Sequence, residues 1–574
     1  LRKEPTMAKS FLKSFGVNAQ RRLIRCKLSH HDTRDLTFAP GWLVPIYCKD
    51  VIPSDVWNMK EVNVQVKQVI ASLKPTFGDV YLSMYYFFVP YRILWKKWPD
   101  IFGKGQPSEW SSPSETVLPR CKFYAGVQGS SVSLKPNTGG GYDGVVNTSV
   151  IANSQNPPVL VSVRGNLLDY LGFAETVFNQ SSNVGHDINW LHFAAYEKIW
   201  SESFRDENVQ NSDPDVEKCF EYSGSGNLDV RFALHYANKL HDVYTKCLPS
   251  PQKGLPVHVA LGESAPIYLE NNGSSLVISG NQSWELYTGQ TVQPGESAQA
   301  YGLATSGSGT YQTTSNVYAD LRNAVGATVN EVRFDFAMQN MKERDARGGT
   351  RYNEVLLSAF EAYNGDLAMQ RPEFLGGETI PLNMTTVPST GDSTPGKLGG
   401  MSNTNFSSRP FVKTFGEFGV LMGVMCVRPR NMYCQGIPKF ASKYRRYHFY
   451  DPALQTIGDQ PVYTKEIYSL AGEDDVLGFQ EAWYEYRMDE NVVCGDMRGG
   501  TLDMDAWSYV QKFSSQPYLN SEFKEQHGEA ITKTLVGYNI AYPQYVYAAH
   551  IDFKHEVTSP MRPYSIPGLV DHVI

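Results

Sequence analysis

Cations alternate with aromatic rings in residues 443–452, which read KYRRYHFYDP. Guanidinium and ammonium groups can pair with phosphates while the rings stack on unpaired bases, a combination that binds single-stranded nucleic acid. The same composition suits a contact between protein subunits, where Tyr and Arg are enriched. We predict that this segment faces DNA, with a subunit interface as the alternative, through Lys443, Tyr444, Arg445, Arg446 and Tyr447.

Basic residues also gather at the start of the chain. Residues 1–27 hold eight of them against the single acid Glu4, so this segment carries +7 and, since the whole chain carries −7, the remainder carries −14. A basic arm on an acidic body predicts a polyanionic partner on one side only, although an ordinary disordered tail has the same composition. The predicted DNA-facing residues of this N-terminal arm, residues 1–34, are Arg2, Lys3, Lys9, Lys13, Arg21, Arg22, Arg25 and Lys27.

Two further groups could do chemistry, and each has a plainer explanation. Residues 344–351, RDARGGTR, place three arginines around a Gly-Gly turn. They could hold a phosphate or a neighbouring carboxylate, or they could lie in solvent between two helices. His30, His31, His235 and His241 are possible metal ligands, but single histidines are more often structural, and we predict no metal site.

No pattern in the chain indicates catalysis. It contains neither a G-x-x-x-x-G-K-[ST] phosphate loop nor an H-E-x-x-H zinc motif. Carboxylates are plentiful, but no spacing singles out a catalytic pair. We predict a protein that is not an enzyme and that uses no cofactor.

The elements that must position these groups are mainly β-strands. Apolar and aromatic residues fill both alternating faces of residues 79–90, which predicts a strand covered on both sides. Residues 61–69 alternate valine with polar residues, as strands buried on one face do. Helical periodicity is confined to fewer segments, residues 192–207, 329–346 and 352–363.

Composition sets two other segments apart from a single domain of residues 35–574. Residues 123–165 are rich in Gly, Ser, Asn and Pro and predict a loop insertion. Residues 254–321 hold five acids and no Lys or Arg, which predicts a surface insertion away from nucleic acid, with Trp284, Tyr287 and Tyr301 as candidate receptor contacts.

The eight scattered cysteines form no C-x-x-C and predict reduced thiols. No apolar run approaches the ~18 residues of a membrane span.

Several blocks of sequence, taken in order, resemble one family. They are residues 37–45, FGDVYLSMYYFFVPYRILWKKWPDIFGKG at 77–105, FAAYEKIWSESFRDENVQ at 193–210, ERDARGGTRY at 343–352, AMQRPEFLGG at 368–377, GFQEAWYEYR at 478–487 and MRPYSIPGL at 561–569. Together they resemble the major capsid protein of gokushoviruses, a branch of the Microviridae. The two insertions at 123–165 and 254–321 fall outside these blocks.

The resemblance implies a mainly β fold, the viral jelly roll of eight antiparallel strands in two facing sheets. It implies a T=1 icosahedral shell of copies of the chain around circular single-stranded DNA, with minor virion proteins and a host cell-surface receptor as further partners. A large insertion would form the protrusions about the threefold axes, and residues 254–321 are the candidate. The expected location is the virion, assembled in the host bacterial cytoplasm.

Two other classes of protein share some of these features. A glycan-binding jelly-roll protein or glycosidase would also carry exposed aromatic residues, but a glycosidase needs a carboxylate pair at a defined separation. A trimeric receptor-binding spike would not need the basic arm. A monomer, a trimer and a megadalton particle are separated by size-exclusion chromatography.

Overall fold

The structure, a computed structural model, describes residues 24–101, 117–128, 159–222, 232–257, 328–362, 365–388, 398–499, 504–536 and 546–564, together with short strands within 145–146 and 267–319. The chain divides into two compact units. One comprises Leu1–Pro249 with Glu361–Ile574, and the other is Ser250–Phe360. None of the helices in the described residues is both long and apolar enough to cross a membrane.

Eight long strands form the framework of the first unit. They are β1 (Cys26–Phe38), β2 (Val44–Val51), β3 (Val56–Gln68), β4 (Val80–Pro90), β5 (Glu373–Pro381), β6 (Leu398–Ser408), β7 (Gly419–Pro429) and β8 (Tyr547–Ser559). They form two antiparallel sheets. The first sheet has the order β1-β8-β3-β6, extended by Met384–Pro388 beside β6 and by Val412–Thr414 beside β3. The second sheet has the order β5-β4-β7-β2.

The chain passes repeatedly from one sheet to the other, and this strand order is that of a jelly roll. β1 and β8 pair along their whole length, so that Cys26 lies opposite Ser559 and Phe38 opposite Tyr547. In the second sheet β7 lies between β2 and β4. The predicted mainly β jelly-roll fold is confirmed.

The inner faces of the two sheets meet in one large core. The ring of Tyr47 in β2 lies 4.7 Å from that of Phe553 in β8, which joins the sheets directly. Leu82, Met84 and Phe88 of β4 point into the same core and are at most 1% exposed. Burial of each such side chain contributes about 1.5–3 kcal/mol.

The outer face of the second sheet is also covered, as the aromatic pattern of residues 79–90 predicts. The helix Leu191–Ile199 and the π-helical turn Trp200–Phe204 that follows it lie in the connection between β4 and β5. The ring of Phe204 packs 5.4 Å from Tyr85 and 6.0 Å from Phe87. β4 is therefore buried on both faces, which confirms that prediction.

The remaining described elements are mostly short, apart from the 20-residue helix Val329–Gly348. The other strands are Arg120–Gln128, Val145–Val146, Val159–Leu160, Val177–Gln180, Val184–Asn189, Ile267–Asn271, Ser274–Val277, Trp284–Thr288, Tyr301–Thr305, Gln312–Thr313, Asn316–Ala319, Met432–Tyr433, Asp459–Tyr463, Val476–Glu481 and Val510–Gln511. The other α-helices are Tyr91–Leu94, Trp98–Ile101, Leu167–Tyr170, Pro214–Glu221, Val329–Gly348, Tyr352–Phe360, Ser521–Lys524 and Glu529–Thr532. All eight cysteines are free thiols, as predicted.

The described residues of the second unit form two three-stranded sheets and two helices. The helix Val329–Gly348 begins with a capping box, in which the Thr328 hydroxyl accepts from the Glu331 backbone N–H and the Glu331 carboxylate accepts from that of Thr328. Such a cap satisfies two N–H groups that a helix leaves unpaired. The predicted helices at 329–346 and 352–363 are confirmed, with ends at Gly348 and Phe360. The predicted insertion boundaries at 123–165 and 254–321 stay predictions.

His555 of β8 is an ionisable group in the core of the sandwich. It is 3% exposed, and its ring stacks between those of Trp57 and His30, each centroid 5.0 Å away. The Tyr47 hydroxyl lies 3.3 Å from its Nε2 atom. Burial and the neighbouring His30 lower the pKa of His555 to about 4, while Asp32 opposes this shift and Lys49 adds to it.

This shift makes the stability of the sandwich depend on pH. Because the folded-state pKa lies below the unfolded value of about 6.5, the folded protein binds fewer protons, so the contribution of His555 is complete above pH ~6.5 and is lost as the pH falls towards 4. We expect His555→Gln to flatten the dependence of the unfolding midpoint on pH between 7 and 4.5, measured by thermal denaturation. His186→Gln, at an exposed strand position, is the control. A wild-type slope in His555→Gln would show that other groups control acid unfolding.

Candidate nucleic-acid interface

Most of the predicted basic arm lies outside the described residues, including Arg2, Lys3, Lys9, Lys13, Arg21 and Arg22. The two remaining members, Arg25 and Lys27, are held by the sandwich. The Arg25 guanidinium donates to the Ser54 carbonyl at 3.3 Å. Lys27 lies in β1, with its Nζ atom 2.7 Å from the Glu556 carboxylate. Residues 26–34 of the predicted arm are thus part of the edge strand of the first sheet.

Lys443, in the predicted aromatic and basic segment, is engaged within the protein. Its Nζ atom lies 2.7 Å from the Glu485 carboxylate, 3.1 Å from the Tyr486 hydroxyl and 4.2 Å from the centre of the Tyr486 ring. Burial lowers its pKa, but the hydrogen bonds from Glu485 and Tyr486 outweigh burial and raise it overall. With its side chain only 10% exposed, Lys443 anchors the segment.

The neighbouring residues instead form an exposed surface. Tyr444 and Tyr447 are 70% and 75% exposed, and the Arg445 guanidinium lies 5.5 Å from the centre of the Tyr444 ring. Short 3-10 turns, Lys439–Ser442 and Arg446–His448, carry the segment. The aromatic surface, as we call it, comprises Phe440, Tyr444, Arg445, Arg446, Tyr447, Phe449 and Tyr450.

An exposed aromatic surface of this size marks a binding site for another molecule. Its rings could stack on bases and its two exposed arginines could pair with phosphates, or the same groups could pack against a protein. The structure thus brings Tyr444, Arg445, Arg446 and Tyr447 together at the surface and separates Lys443 from them.

The outer face of the first sheet is a second polar surface, which sequence patterns did not single out. Its side chains alternate with buried ones along β1, β3, β6 and β8, and they are exposed or half-exposed. Many of its charges are paired across strands. Glu556 binds both Lys27 at 2.7 Å and Lys60 at 2.5 Å, and Lys554 lies 3.1 Å from Glu61.

Of the candidate metal ligands, only His235 lies in a cluster of possible ligand residues within the described part of the chain. Glu197, Asp213 and His235 have ligand atoms within 4.8 Å of one another, and they are the only such group in the described residues. His235 and Glu197 pair at 2.5 Å, and the Glu197 carboxylate also accepts from the Ala233 backbone N–H. Although burial opposes it, the Glu197 carboxylate raises the pKa of His235. These contacts are those of an ion pair joining the helix Leu191–Ile199 to residues 232–238, and His241 is not part of the group.

Residues 344–348 are the last turn of the helix Val329–Gly348, and residues 349–351 connect it to the helix Tyr352–Phe360. The Glu354 carboxylate accepts from the backbone N–H groups of Thr350 and Arg351, both at 3.1 Å, and pairs with the Arg351 guanidinium at 3.2 Å. Arg344 pairs with Asp345. A neighbouring carboxylate therefore takes the place that a phosphate would occupy at Arg351.

The predicted receptor contacts lie in paired strands of the second unit. Trp284 and Tyr287 belong to Trp284–Thr288, which pairs antiparallel with Tyr301–Thr305 so that Trp284 lies opposite Thr305 and Thr288 opposite Tyr301. The three residues are therefore on adjacent strands of one small sheet.

Comparison with known proteins identifies the family. A family described as capsid protein (F protein) matches residues 16–126 and 145–569. The chain belongs to this family of capsid proteins. It is 31% identical over 554 residues to the capsid protein VP1 of Bdellovibrio phage phiMH2K, which covers 93% of each chain. It is 30% identical over 561 residues to VP1 of Spiroplasma virus 4, again 93% of each.

A third capsid protein VP1, from Chlamydia phage 1, is 26% identical over 605 residues, covering 93% of this chain and 94% of that relative. The resemblance to gokushovirus capsid proteins is confirmed. The capsid protein is a structural subunit of the virion and is not an enzyme. It assembles with copies of itself into a shell, so each subunit needs surfaces for its neighbours as well as for other partners.

Two alanine substitutions separate the anchor of the aromatic surface from its exposed part. Lys443→Ala leaves Glu485 without its cation, and we expect a loss of about 1–3 kcal/mol in the free energy of unfolding, measured by urea denaturation of the subunit. Arg446→Ala should leave this free energy unchanged. In assembled particles, intact but DNA-poor shells of Arg446→Ala indicate contact with DNA, and failure to form shells indicates a subunit interface. Equal stability of the two variants would contradict the anchoring role of Lys443.

Proposed function

We propose that the capsid protein builds a T=1 icosahedral shell around circular single-stranded DNA and takes part in host attachment. The observation that carries the DNA-binding role is the position of the basic arm. The +7 segment runs directly into β1, the edge strand of the sheet with the exposed polar outer face. An arm at this position can extend over that face, and we therefore propose that this face is the inner side of the shell wall.

The second proposed DNA contact is the aromatic surface. Tyr444 and Tyr447 supply stacking surfaces, and Arg445 and Arg446 supply cations that can reach phosphates. The resemblance to gokushoviruses supports two further proposals, namely minor virion proteins as partners and assembly in the bacterial cytoplasm. Mass measurement of purified particles tests the T=1 arrangement, because the monomer, the trimeric spike and the closed shell differ widely in mass. A trimer as the final assembly would overturn the proposal.

Neutralising the arm tests its role in packaging. The variant carries Gln at Arg2, Lys3, Lys9, Lys13, Arg21 and Arg22, and leaves Arg25 and Lys27 with their partners in the sandwich. We expect intact shells with less DNA, measured from the ratio of absorbance at 260 and 280 nm. Salt dependence of DNA binding should also weaken, since each lost phosphate contact lowers the slope of log K against log salt by about 0.7 for single strands.

The matched control exchanges Lys and Arg with each other at the same six positions, which keeps the charge. It should package normally. Full packaging in the Gln variant would show that the arm is an ordinary tail.

We further propose that the insertion at residues 254–321 contacts the host receptor. Its lack of Lys and Arg makes it a poor partner for packaged phosphates. It belongs to Ser250–Phe360, a compact unit with its own sheets, so the core of the sandwich does not depend on it. Exposed segments on a rigid framework commonly contain the residues that bind partner molecules. Trp284, Tyr287 and Tyr301 are the proposed contacts.

Replacing residues 258–327 with a Gly/Ser linker tests this role and leaves the capping box at Thr328 intact. We expect a normal yield of shells, because loop-closure cost grows slowly with length, and loss of adsorption to host cells. The matched variant, with Ala at Trp284, Tyr287 and Tyr301, should assemble and adsorb weakly. Failure of the linker variant to assemble would make the segment a structural clamp, and normal infectivity would remove the attachment role.

A further inference from the structure

Four polar side chains on the outer face of the first sheet have no side-chain partner among the residues that the structure describes. Lys67 and Gln65 of β3 lie opposite Asn403 and Asn405 of β6, and all four are exposed or half-exposed. None of them makes a hydrogen bond or ion pair with any residue that the structure describes. Residues directly opposite on antiparallel strands have Cβ atoms about 4.5–5.5 Å apart. The four side chains therefore form one compact patch, the amide patch, of one ammonium and three carboxamide groups.

Lys67 differs in this respect from the other lysines of the same face. Lys27, Lys60 and Lys554 each have a carboxylate within 3.1 Å. The acid nearest in register to Lys67 is Asp35, which lies two strands away in β1, opposite His550 of β8. It is paired with His550 at 2.5 Å. Lys67 is thus the uncompensated lysine of the face, within the described residues.

A groove runs beside the amide patch. Its volume is about 830 Å³, and it is lined by Gln65, Lys67, Ala548 and His550 together with the carboxylates of Asp35 and Asp169. This volume falls in the range of sites that hold small organic molecules. Ala548 lies opposite Lys67 in β8 and contributes only a methyl side chain at this point.

The opposite wall of the groove is the short helix Leu167–Tyr170, fixed rigidly to the sheet. The Arg34 guanidinium donates to the Tyr170 carbonyl at 2.7 Å, and the Tyr170 hydroxyl donates to the Thr37 carbonyl at 2.9 Å. Gly172, just after this helix, has open space where a side chain would stand. The groove is therefore preformed and remains open at its rim.

The chemistry of these groups suits single-stranded DNA. Each carboxamide offers both donor and acceptor groups, and so can pair with the edge of any unpaired base, while an ammonium serves as a point charge for phosphate. The lone positive charge of Lys67 disfavours the +7 arm of this chain as the occupant. Exposed β-sheet surfaces bind single strands in other proteins as well.

We propose that Lys67, Gln65, Asn403 and Asn405 form a binding site for single-stranded DNA on the outer face of the first sheet. Lys67 holds a phosphate, and the carboxamides hydrogen-bond to the edges of bases that lie in the groove. The site rests on the proposed function, in that it requires the shell to enclose single-stranded DNA with this face inward. It adds hydrogen bonds to base edges, whereas the aromatic surface supplies stacking on bases and the arm supplies cations for phosphates.

The first test measures binding of the purified full-length subunit to a fluorescent oligodeoxythymidylate at several salt concentrations. Lys67→Ala should lower the slope of log K against log salt by about 0.7, the value for one phosphate contact on a single strand. The double variant Gln65→Ala, Asn405→Ala should weaken binding with the slope unchanged, because it removes uncharged contacts. Lys60→Ala is the matched control on the same strand and face, where Glu556 already neutralises the lysine, and it should change neither quantity.

Equal effects of Lys67→Ala and Lys60→Ala would overturn the site.

The second test irradiates wild-type particles with ultraviolet light and identifies protein–nucleotide crosslinks by mass spectrometry. Crosslinks within β3 or β6 support the site. Particles that hold DNA but give crosslinks only elsewhere overturn the site and leave the proposed function standing, whereas particles without DNA overturn the proposed function. A chemical crosslink between Lys67 and a lysine of the arm would show that the arm occupies the groove.

Discussion

The second sheet must be buried on both of its faces, and the rest of the fold depends on this constraint. In β4, Leu82, Met84 and Phe88 fill the space between the sheets while Tyr85 and Phe87 point to the other side. Leaving either of those rings exposed would reduce the free energy of unfolding by about 1.5–3 kcal/mol. Covering them takes much of the connection between β4 and β5, including Leu191–Ile199 and Phe204. The first sheet has polar residues on its outer face and needs no such cover.

This asymmetry gives the two sides of the sandwich different roles. The covered sheet is stabilised mainly by apolar packing, supported by buried polar contacts such as the Arg428 guanidinium on the Asn238 carbonyl at 3.0 Å. The exposed sheet is stabilised by packing on one face only, and its other face remains available. Many charges on that face are neutralised in pairs, and among the described residues Lys67 is the lysine of the face without such a partner.

Local patterns predicted the strands well, because alternation along β3 and β4 directly reflects which faces are buried. Contacts between distant residues were beyond such patterns. Lys443 looked like a phosphate ligand, and no local pattern indicated that Glu485, on a separate turn, would pair with it. His235 was a candidate ligand for a metal, but its partner Glu197 is 38 residues away in a helix. Gln65 and Lys67 looked like an ordinary solvent face, because only the register with β6 shows that their neighbours, Asn403 and Asn405, are also unpartnered.

The strand directions constrain how the capsid protein can lie in a shell. The arm enters β1 at Cys26, whereas the segment that bears the aromatic surface follows β7 after Pro429. The backbone N–H of Gly41, just beyond the far end of β1, donates to Val427 near the end of β7, so the two segments join the sandwich at opposite ends. β1 has 13 residues and spans about 40 Å. If the strands lie tangential to the shell, both segments can reach the DNA. If the strands point along the radius of the shell, only one segment can. Contact of both with DNA would therefore require strands that run along the shell, and the amide patch would reach the genome when the first sheet is the inner one.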